Sequence, residues 1–456
     1  MEHFKSINPA TEALIATYQV MPPEEVESRI GQAHRAFLTW KTVSISERAK
    51  YLEKAADILD EKRNDFARLI TLEMGKILSE AEAEVTKCAW TCRHYAQHAA
   101  GFLAPERIAT DAVLSYVDFQ PMGVLLAVMP WNFPFYQVFR FAAPALMAGN
   151  AGLLKHASNV TGCARAIQSV FEEAGVPEGL FSHLAIPGSR VAGVIEHPLV
   201  KAVTLTGSEK AGSSVAAHAG KHIKKTVLEL GGSDAYLILE DADLDLAAEV
   251  CAYSRLINAG QSCIGAKRFI PVAAIYDEFL ERFRARMAEP ILGDPFDRTA
   301  DMGPLARLDL REQLHAQVLQ SIEKGAKCVL GGQLLPAPGA FYPPTILTEV
   351  QKGMPAYDEE LFGPVASVIR AKDERDAIRI ANDSMFGLGS AVFSQDLARA
   401  EAIAAKELEA GSCFVNSFVR SDPRLPFGGI KTSGYGRELS RYGILEFVNI
   451  KTIYVA

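Results

Sequence analysis

Residues 151–186 read "AGLLKHASNVTGCARAIQSVFEEAGVPEGLFSHLAI", and the order of element types within them decides the fold. "AGLLK" (151–155) is a short apolar run of strand length. "NVTGCARAIQSVFEEAG" (159–175) spaces its apolar residues as a helix does, and "FSHLAI" (181–186) returns to a strand pattern. The alternation continues at once, with "KAVTLTG" (201–207) as strand, "SEKAGSSVAAHAG" (208–220) as helix and "KTVLELGG" (225–232) as strand. Short apolar strands separated by helices are βαβ units, which build a parallel, doubly wound sheet whose ligand sits beyond the carboxyl ends of the strands. "LLKHAS", "TLTGSEKAG" and "LELGG" are therefore expected around one crevice.

Upstream, "AVLSYVDFQPMGVLLAVMP" (112–130) supplies strands broken at Pro121 and Gly123. The first hundred residues read as helix. "PPEEVESRIGQAHRAFLTW" (22–40) opens with proline and acids, and "SERAKYLEKAADILDEKRNDFARLITLEMGK" (46–76) starts on a Ser and Glu arrangement suited to a helix start. Such helices cover a sheet, and no chemistry is expected of them. Downstream, "RFIPVAAI" (268–275), "DEFLERFRARMAEP" (277–290), "LREQLHAQVLQSIEKGAKCVLGG" (310–332), "ASVIRAKDERDAIRIANDS" (366–384) and "ARAEAIAAKELEAGSCFVN" (398–416) alternate again, which predicts a second α/β domain. The closing "FVNIKTIYVA" (447–456) is a strand too short to stand alone; it is expected to pair with "LSYVDFQ" (114–120) of its own or a neighbouring subunit.

A chain of 456 residues exceeds one ordinary core and has room for a cleft between domains. Its 49% hydrophobic and 22% charged residues are the balance of a globular protein, and a net charge of −8 argues against nucleic acid or an anionic membrane as partner. The start carries no basic segment followed by an apolar block, and no run approaches a membrane span, so a cytoplasmic location is expected. Seven cysteines form an odd, scattered set that excludes a complete disulfide framework. Cys88 and Cys92 lack the second pair that a zinc site needs, and no metal is expected.

Cys263 stands in "NAGQSCIGAKR" (258–268), among small and polar residues with Lys267 and Arg268 behind it. It has no CxxC partner and no nearby histidine, which leaves a nucleophile and a small packed side chain both open. Glu229 interrupts an apolar strand just before Gly231 and Gly232; a general base with a raised pKa and a salt-bridged structural acid would read alike. In "PWNFP" (130–134) Asn132 is placed either to donate to an oxyanion or to pack a turn. Gly207 and Gly212 flank Ser208 where strand turns to helix, a place for a phosphate, although the spacing is not that of the dinucleotide fingerprint. Lys155, at a strand end, suits ribose, phosphate or solvent.

Taken together, "PWNFP", "LLK", "LTGS", "LELGG", "GQSC", "EELFGP" and "PFGGIKTSGYGRE" occur in an order and at spacings that resemble the aldehyde dehydrogenase superfamily along nearly the whole chain. Within it the sequence is most similar to the short bacterial succinate-semialdehyde dehydrogenases. The resemblance implies an α/β aldehyde dehydrogenase fold. A Rossmann-like cofactor domain would take residues 1–103 and 122–230, a catalytic domain 231–432, and a small oligomerisation element 104–121 and 443–456. It implies Cys263 as the nucleophile that forms a thiohemiacetal and then a thioester, Asn132 with the Cys263 amide as oxyanion hole, and Glu229 as the base that activates water. It implies cofactor contacts from Trp131, Lys155, Gly207, Ser208 and Glu360. NAD-preferring relatives often carry a glutamate where this chain has Ser158; without that carboxylate a 2′-phosphate is not repelled, so NADP is expected over NAD.

Three departures from the family pattern stand out: His156 follows the lysine in place of a proline, Ser233 follows the double glycine, and Phe141 occupies the place of a lysine that moves a proton out of the site. Water or Glu438 is left to serve that exit. Arg140, eight residues after Asn132, is expected to clamp a distal carboxylate in preference to pairing with an internal acid. Ser421 is expected as a second donor, with Arg420 and Arg424 adding charge. The expected reaction is oxidation of succinate semialdehyde to succinate by a homodimer or homotetramer. Glutarate semialdehyde, uncharged aliphatic or aromatic aldehydes, and a non-catalytic protein on the same fold are the alternatives. Acylation of coenzyme A is disfavoured, since such relatives lack the glutamate. Gly265 stands where some relatives have a second cysteine, so no local disulfide switch is expected.

Overall fold

The computed structural model describes residues 2–456. A hairpin, β1 (His3–Ile7) and β2 (Leu14–Gln19), precedes four helices, α1 (Pro23–Trp40), α2 (Ile45–Glu61), α3 (Arg63–Met74) and α4 (Leu78–Phe102). Then follow β3 (Glu106–Arg107), β4 (Leu114–Pro121), β5 (Val124–Met129), α5 (Tyr136–Met147), β6 (Ala151–His156), α6 (Thr161–Glu173), β7 (Phe181–His183), α7 (Val191–Glu196), β8 (Val200–Thr206), α8 (Glu209–Lys221) and β9 (Lys225–Glu229). The second half continues with β10 (Ala235–Ile238), α9 (Leu244–Leu256), β11 (Arg268–Pro271), α10 (Tyr276–Ala288), α11 (Leu308–Glu323), β12 (Lys327–Leu330), β13 (Thr345–Thr348), α12 (Pro355–Asp358) and β14 (Val365–Val368). It ends with α13 (Glu374–Asn382), β15 (Phe386–Gly387), β16 (Gly389–Phe393), α14 (Leu397–Lys406), β17 (Ser412–Val415), β18 (Ile430–Lys431), β19 (Gly434–Tyr435), α15 (Ser440–Leu445) and β20 (Val448–Val455).

The alternation predicted between 151 and 232 becomes a six-stranded sheet of order β19-β9-β8-β5-β6-β7, parallel except for β19. Strand β5 lies at the switch point: the chain winds outward to β6 and β7, then returns to β8 on the other side, which opens a crevice at the carboxyl ends of β5 and β8. Val124, Leu125 and Leu126 are fully buried, as a strand covered by helices on both faces must be. Each such side chain contributes about 1.5–3 kcal/mol of transfer free energy. The second series forms a seven-stranded sheet, β12-β13-β14-β11-β10-β16-β17, parallel except for β12. One apolar core gathers residues from Met21 to Leu230 with Ile444, Phe447 and Val448, and a second spans Ala235 to Val419.

Two expectations for the first hundred residues are corrected. The segment before Met21 is the β1–β2 hairpin, not helix; its turn signal is "NPAT", where the Asn8 Oδ1 accepts from the Ala10 amide at 2.8 Å. The run 46–76 is two helices that break at Lys62, and the cap is Ser44, whose hydroxyl accepts from the Glu47 amide at 3.2 Å. The tail strand β20 pairs antiparallel with β4 of its own chain, from Val448 opposite Pro121 to Val455 opposite Leu114, in a three-stranded sheet of order β20-β4-β3. Among the described residues no helix is long and apolar enough to cross a membrane.

Candidate active site

The carboxyl ends of the first sheet meet the loops that enter the second. Strand β5 runs directly into Pro130–Pro134, and this turn is fastened by His156 at the end of β6. The His156 Nδ1 accepts from the Ala157 amide at 2.9 Å, so Nε2 carries the proton and donates to the Pro134 carbonyl at 2.8 Å. Burial pulls the imidazole down to about 4, which keeps it neutral. The histidine that replaces the expected proline therefore ties Trp131 and Asn132 to the sheet.

Between α9 and β11 the chain makes a left-handed turn, Asn258 (φ 56°), Ala259 (φ 51°) and Gly260 (φ 73°), before it reaches Cys263. A non-glycine residue pays about 1–2 kcal/mol for that conformation, and the surroundings enforce it. The Asn258 side-chain amide donates to the carbonyls of Asn132 (2.8 Å) and Gln261 (3.0 Å), and its backbone amide donates to Glu80. A Cβ at Gly260 would lie 2.2 Å from the Gly363 carbonyl oxygen, so this turn and the "FGP" segment approach each other as backbone. Lys267 closes the loop: its Nζ donates to the carbonyls of Ser262 (2.8 Å) and Cys263 (2.7 Å) and pairs with Glu360 at 3.1 Å.

Two cavities meet at Cys263. One, of ≈ 780 Å³, lies in the crevice of the first sheet and is lined by Trp131, Asn132, Lys155, Gly207, Ser208 and Glu360 together with Cys263. The other, of ≈ 270 Å³, reaches Cys263 from the opposite side and is lined by Lys87, Tyr136, Arg140, Phe418, Arg420, Ser421 and Phe427 among others. The structure thus gathers Trp131, Asn132, Lys155, Gly207, Ser208 and Glu360 on one face of the thiol, and Arg140 and Ser421 on the other. Two expected residues line neither cavity. Ser158 is exposed, one residue beyond the lining Ala157, and Glu229 is buried behind the wall at the end of β9.

In the first cavity Trp131 packs edge-on against Phe362, and Ser208 caps α8 by accepting from the Ala211 amide at 3.4 Å. Asn132 spends one side-chain N–H on the Gln261 carbonyl (3.1 Å), which leaves its second N–H free for an incoming oxygen. Glu360 accepts from the Gly232 amide at 3.0 Å as well as from Lys267. Burial pulls Lys155 below the usual lysine range.

The charges near Cys263 form one linked set. Burial pushes its thiol up to about 12, opposed by Lys267 and Arg140. Burial also raises Glu229 well above the ordinary carboxyl range, with Glu438 adding to the rise and Arg140 opposing it. Neither oxygen of Glu229 has a hydrogen-bond partner. Arg140 forms a buried ion pair with Glu438 through Nε, and its guanidinium lies 4.5 Å from the centre of the Phe427 ring. This corrects one sequence expectation: "VFRFAAPAL" looks free of acids, but the partner comes from the far end of the chain. Phe141 is buried against Phe447, so no titratable group stands at its place.

Residues 1–453 match the aldehyde dehydrogenase family. The chain belongs to that family. A probable NADP(+) succinate-semialdehyde dehydrogenase of Synechocystis is 50% identical over 451 residues, 99% of either chain. An NADP(+) succinate-semialdehyde dehydrogenase of Mycobacterium tuberculosis is 48% identical over 454 residues, again 99% of either chain. Among solved structures, the succinic semialdehyde dehydrogenase of Streptococcus pyogenes in complex with NADP+ superposes with a TM-score of 0.97 at 40% identity, covering 99% of each chain.

This aldehyde dehydrogenase also uses residues that the sequence reading passed over. Helix α4, expected to be a mere cover, lends Glu80, Glu84 and Lys87 to the second cavity. Glu84 accepts from the amides of Phe135 (2.9 Å) and Tyr136 (3.0 Å), which caps α5, and forms a fully buried pair with Lys76. The signal for Lys267 was present, a cation four residues after Cys263 in a run that is otherwise small or apolar. Lys87 gave none, because a lysine on an amphipathic helix reads as solvated.

Proposed function

We propose that the chain oxidises succinate semialdehyde to succinate with NADP, NAD being the poorer acceptor. The observation that carries the reading is a single thiol where a dinucleotide-sized cleft and a small, positively lined cavity meet. Glu84 in the small cavity is already paired with Lys76 and held by the α5 amides, whereas Lys87 has no acid partner, and that cation favours an anionic substrate. The NADP-dependent semialdehyde dehydrogenases among its relatives support the same choice.

The cleft suits NADP: it lies at the carboxyl ends of β5 and β8, Lys155 has no carboxylate partner in it, and no acid stands at Ser158 to repel a 2′-phosphate. Trp131, Lys155, Gly207, Ser208 and Glu360 would hold it, with Ser158 at the rim. The hydride acceptor is the chemistry that bound NADP supplies there. The thiol of Cys263 must lose its proton as it attacks the aldehyde, because burial keeps it protonated at rest. Asn132 offers its unspent N–H, and Cys263 its backbone amide, to the resulting oxyanion. Glu229 then activates water against the thioester. Its carboxyl group reaches that water by swinging from its pocket, and it leaves no hydrogen bond behind. Glu438, beside it, is the route by which the proton leaves.

On this reading residues 1–103 and 122–230 form the cofactor domain, 231–432 the catalytic domain, and 104–121 with 443–456 the oligomerisation element of a cytoplasmic homodimer or homotetramer. The test is the initial rate of NADPH or NADH formation with succinate semialdehyde, hexanal and benzaldehyde in turn. Succinate semialdehyde with NADP should lead by at least about tenfold in kcat/KM. Equal or better turnover of hexanal would return the substrate to the uncharged aldehydes while leaving the chemistry of Cys263 in place.

A further inference from the structure

The small cavity holds three bases, and two of them are occupied or hydrated. Arg140 is paired with Glu438, so that pair presents little net charge to an incoming anion. Arg420 is exposed and lies against Phe418, where water screens it. Lys87 is different. It is half-buried, its Nζ donates to the Ser421 hydroxyl at 2.8 Å, and it lies 4.5 Å from the centre of the Tyr136 ring. Its named partners are thus a neutral hydroxyl and an aromatic face. Because the Ser421 oxygen accepts from Lys87, the Ser421 proton points away from the ammonium, toward Tyr136 and the cavity. The Tyr136 hydroxyl is buried beside Ser421 in the same wall. Lys87 also lines the outer cleft of ≈ 760 Å³, with Trp90, Asp422 and Arg424, so it stands where the cavity opens outward and away from Cys263.

We propose that Lys87, through its own charge and the Ser421 hydroxyl it orients, selects a carboxylate at the far end of the aldehyde, while Arg140 is a positioning residue that holds Glu438. The inference rests on the substrate reading above and reassigns its specificity. An ammonium with a neutral partner in a half-buried setting gains a charge-assisted hydrogen bond from an incoming carboxylate, whereas the charge of Arg140 is already balanced by Glu438. Burial and Arg140 pull Lys87 down to about 8, opposed by Cys88 and Glu84 on its own helix and by Asp422 from the loop. Tyr136 faces it from α5, and Arg424 lines the outer cleft with it. Carboxylate recognition should therefore weaken as the pH rises through about 8, since the charged form of a lysine is lost upward.

The experiment compares kcat and KM for succinate semialdehyde and for butanal, with NADP, in wild type, Lys87→Met, Lys87→Gln and Lys87→Arg, from pH 6.5 to 9.5. In Lys87→Met and Lys87→Gln the preference for succinate semialdehyde over butanal should fall about 10- to 100-fold, carried by KM. Lys87→Arg should restore most of it and remove the rise of KM near pH 8. An unchanged preference in both neutral variants overturns this inference alone, as does a loss carried by kcat for both aldehydes. A wild type that favours butanal overturns the substrate reading and this inference with it.

Discussion

At the scale of single residues, Arg140, Glu438 and Glu229 behave as one electrostatic unit. Arg140 is the cation that opposes the rise of both carboxyl groups. Arg140→Ala leaves two buried acids with less compensation, so the pKa of Glu229 should climb further. Its basic form then needs a higher pH, and the acid limb of the kcat profile should move upward by about one unit, with kcat at pH 7 down about tenfold. The loss should be similar for succinate semialdehyde and butanal, because a general base serves every thioester. A loss confined to the charged aldehyde, with the limb unmoved, would return carboxylate recognition to Arg140. The sequence made the family legible, and singled out Cys263, Glu229 and Asn132 as candidates, because seven short motifs occur in order. It could not reveal that Arg140 has an internal acid, since Glu438 reaches it only through the packing of the loop before α15 against α5.

At the scale of elements, the alternation of short apolar strands with helices was enough to announce both parallel sheets, because a strand buried on both faces shows its apolar run directly. Helix α4 was misjudged for the opposite reason. Its polar residues look like a solvated stripe, yet Glu84 and the preceding Lys76 are fully buried and together hold the start of α5, with Lys76 lying 3.7 Å from the centre of the Phe133 ring. Removing one partner strands the other charge in the core, the costly way to break a buried pair. Glu84→Ala should destabilise the protein by about 3–5 kcal/mol and loosen the α5 residues Tyr136 and Arg140. Lys76→Met combined with Glu84→Leu should recover part of that loss, since an apolar pair leaves no charge behind. Urea unfolding followed by tryptophan fluorescence checks both. A single mutant as stable as wild type would mean that water reaches the Lys76 ammonium and the pair is not structural.

At the scale of the whole molecule, the carboxyl ends of one sheet meet the loops entering another, and Cys263 stands at the junction where the two cavities touch. Since β20 pairs with β4 of its own chain, the first of the two pairings expected for the tail, the pairing itself does not require a second subunit. What remains is the outer edge of β20, eight residues long, without proline or bulge, and with Ile450 (61% exposed) and Tyr454 (52% exposed) on one face. An unprotected apolar edge of that length invites another chain. Wild-type protein should therefore elute with a mass of two or four times 49.5 kDa by light scattering. The double variant Ile450→Lys with Tyr454→Lys should shift to 49.5 kDa, while its unfolding midpoint stays close to that of wild type because both side chains are already exposed within one chain. A wild type of 49.5 kDa would show that the edge is tolerated bare. An assembly that survives both lysines would place its contact on another surface.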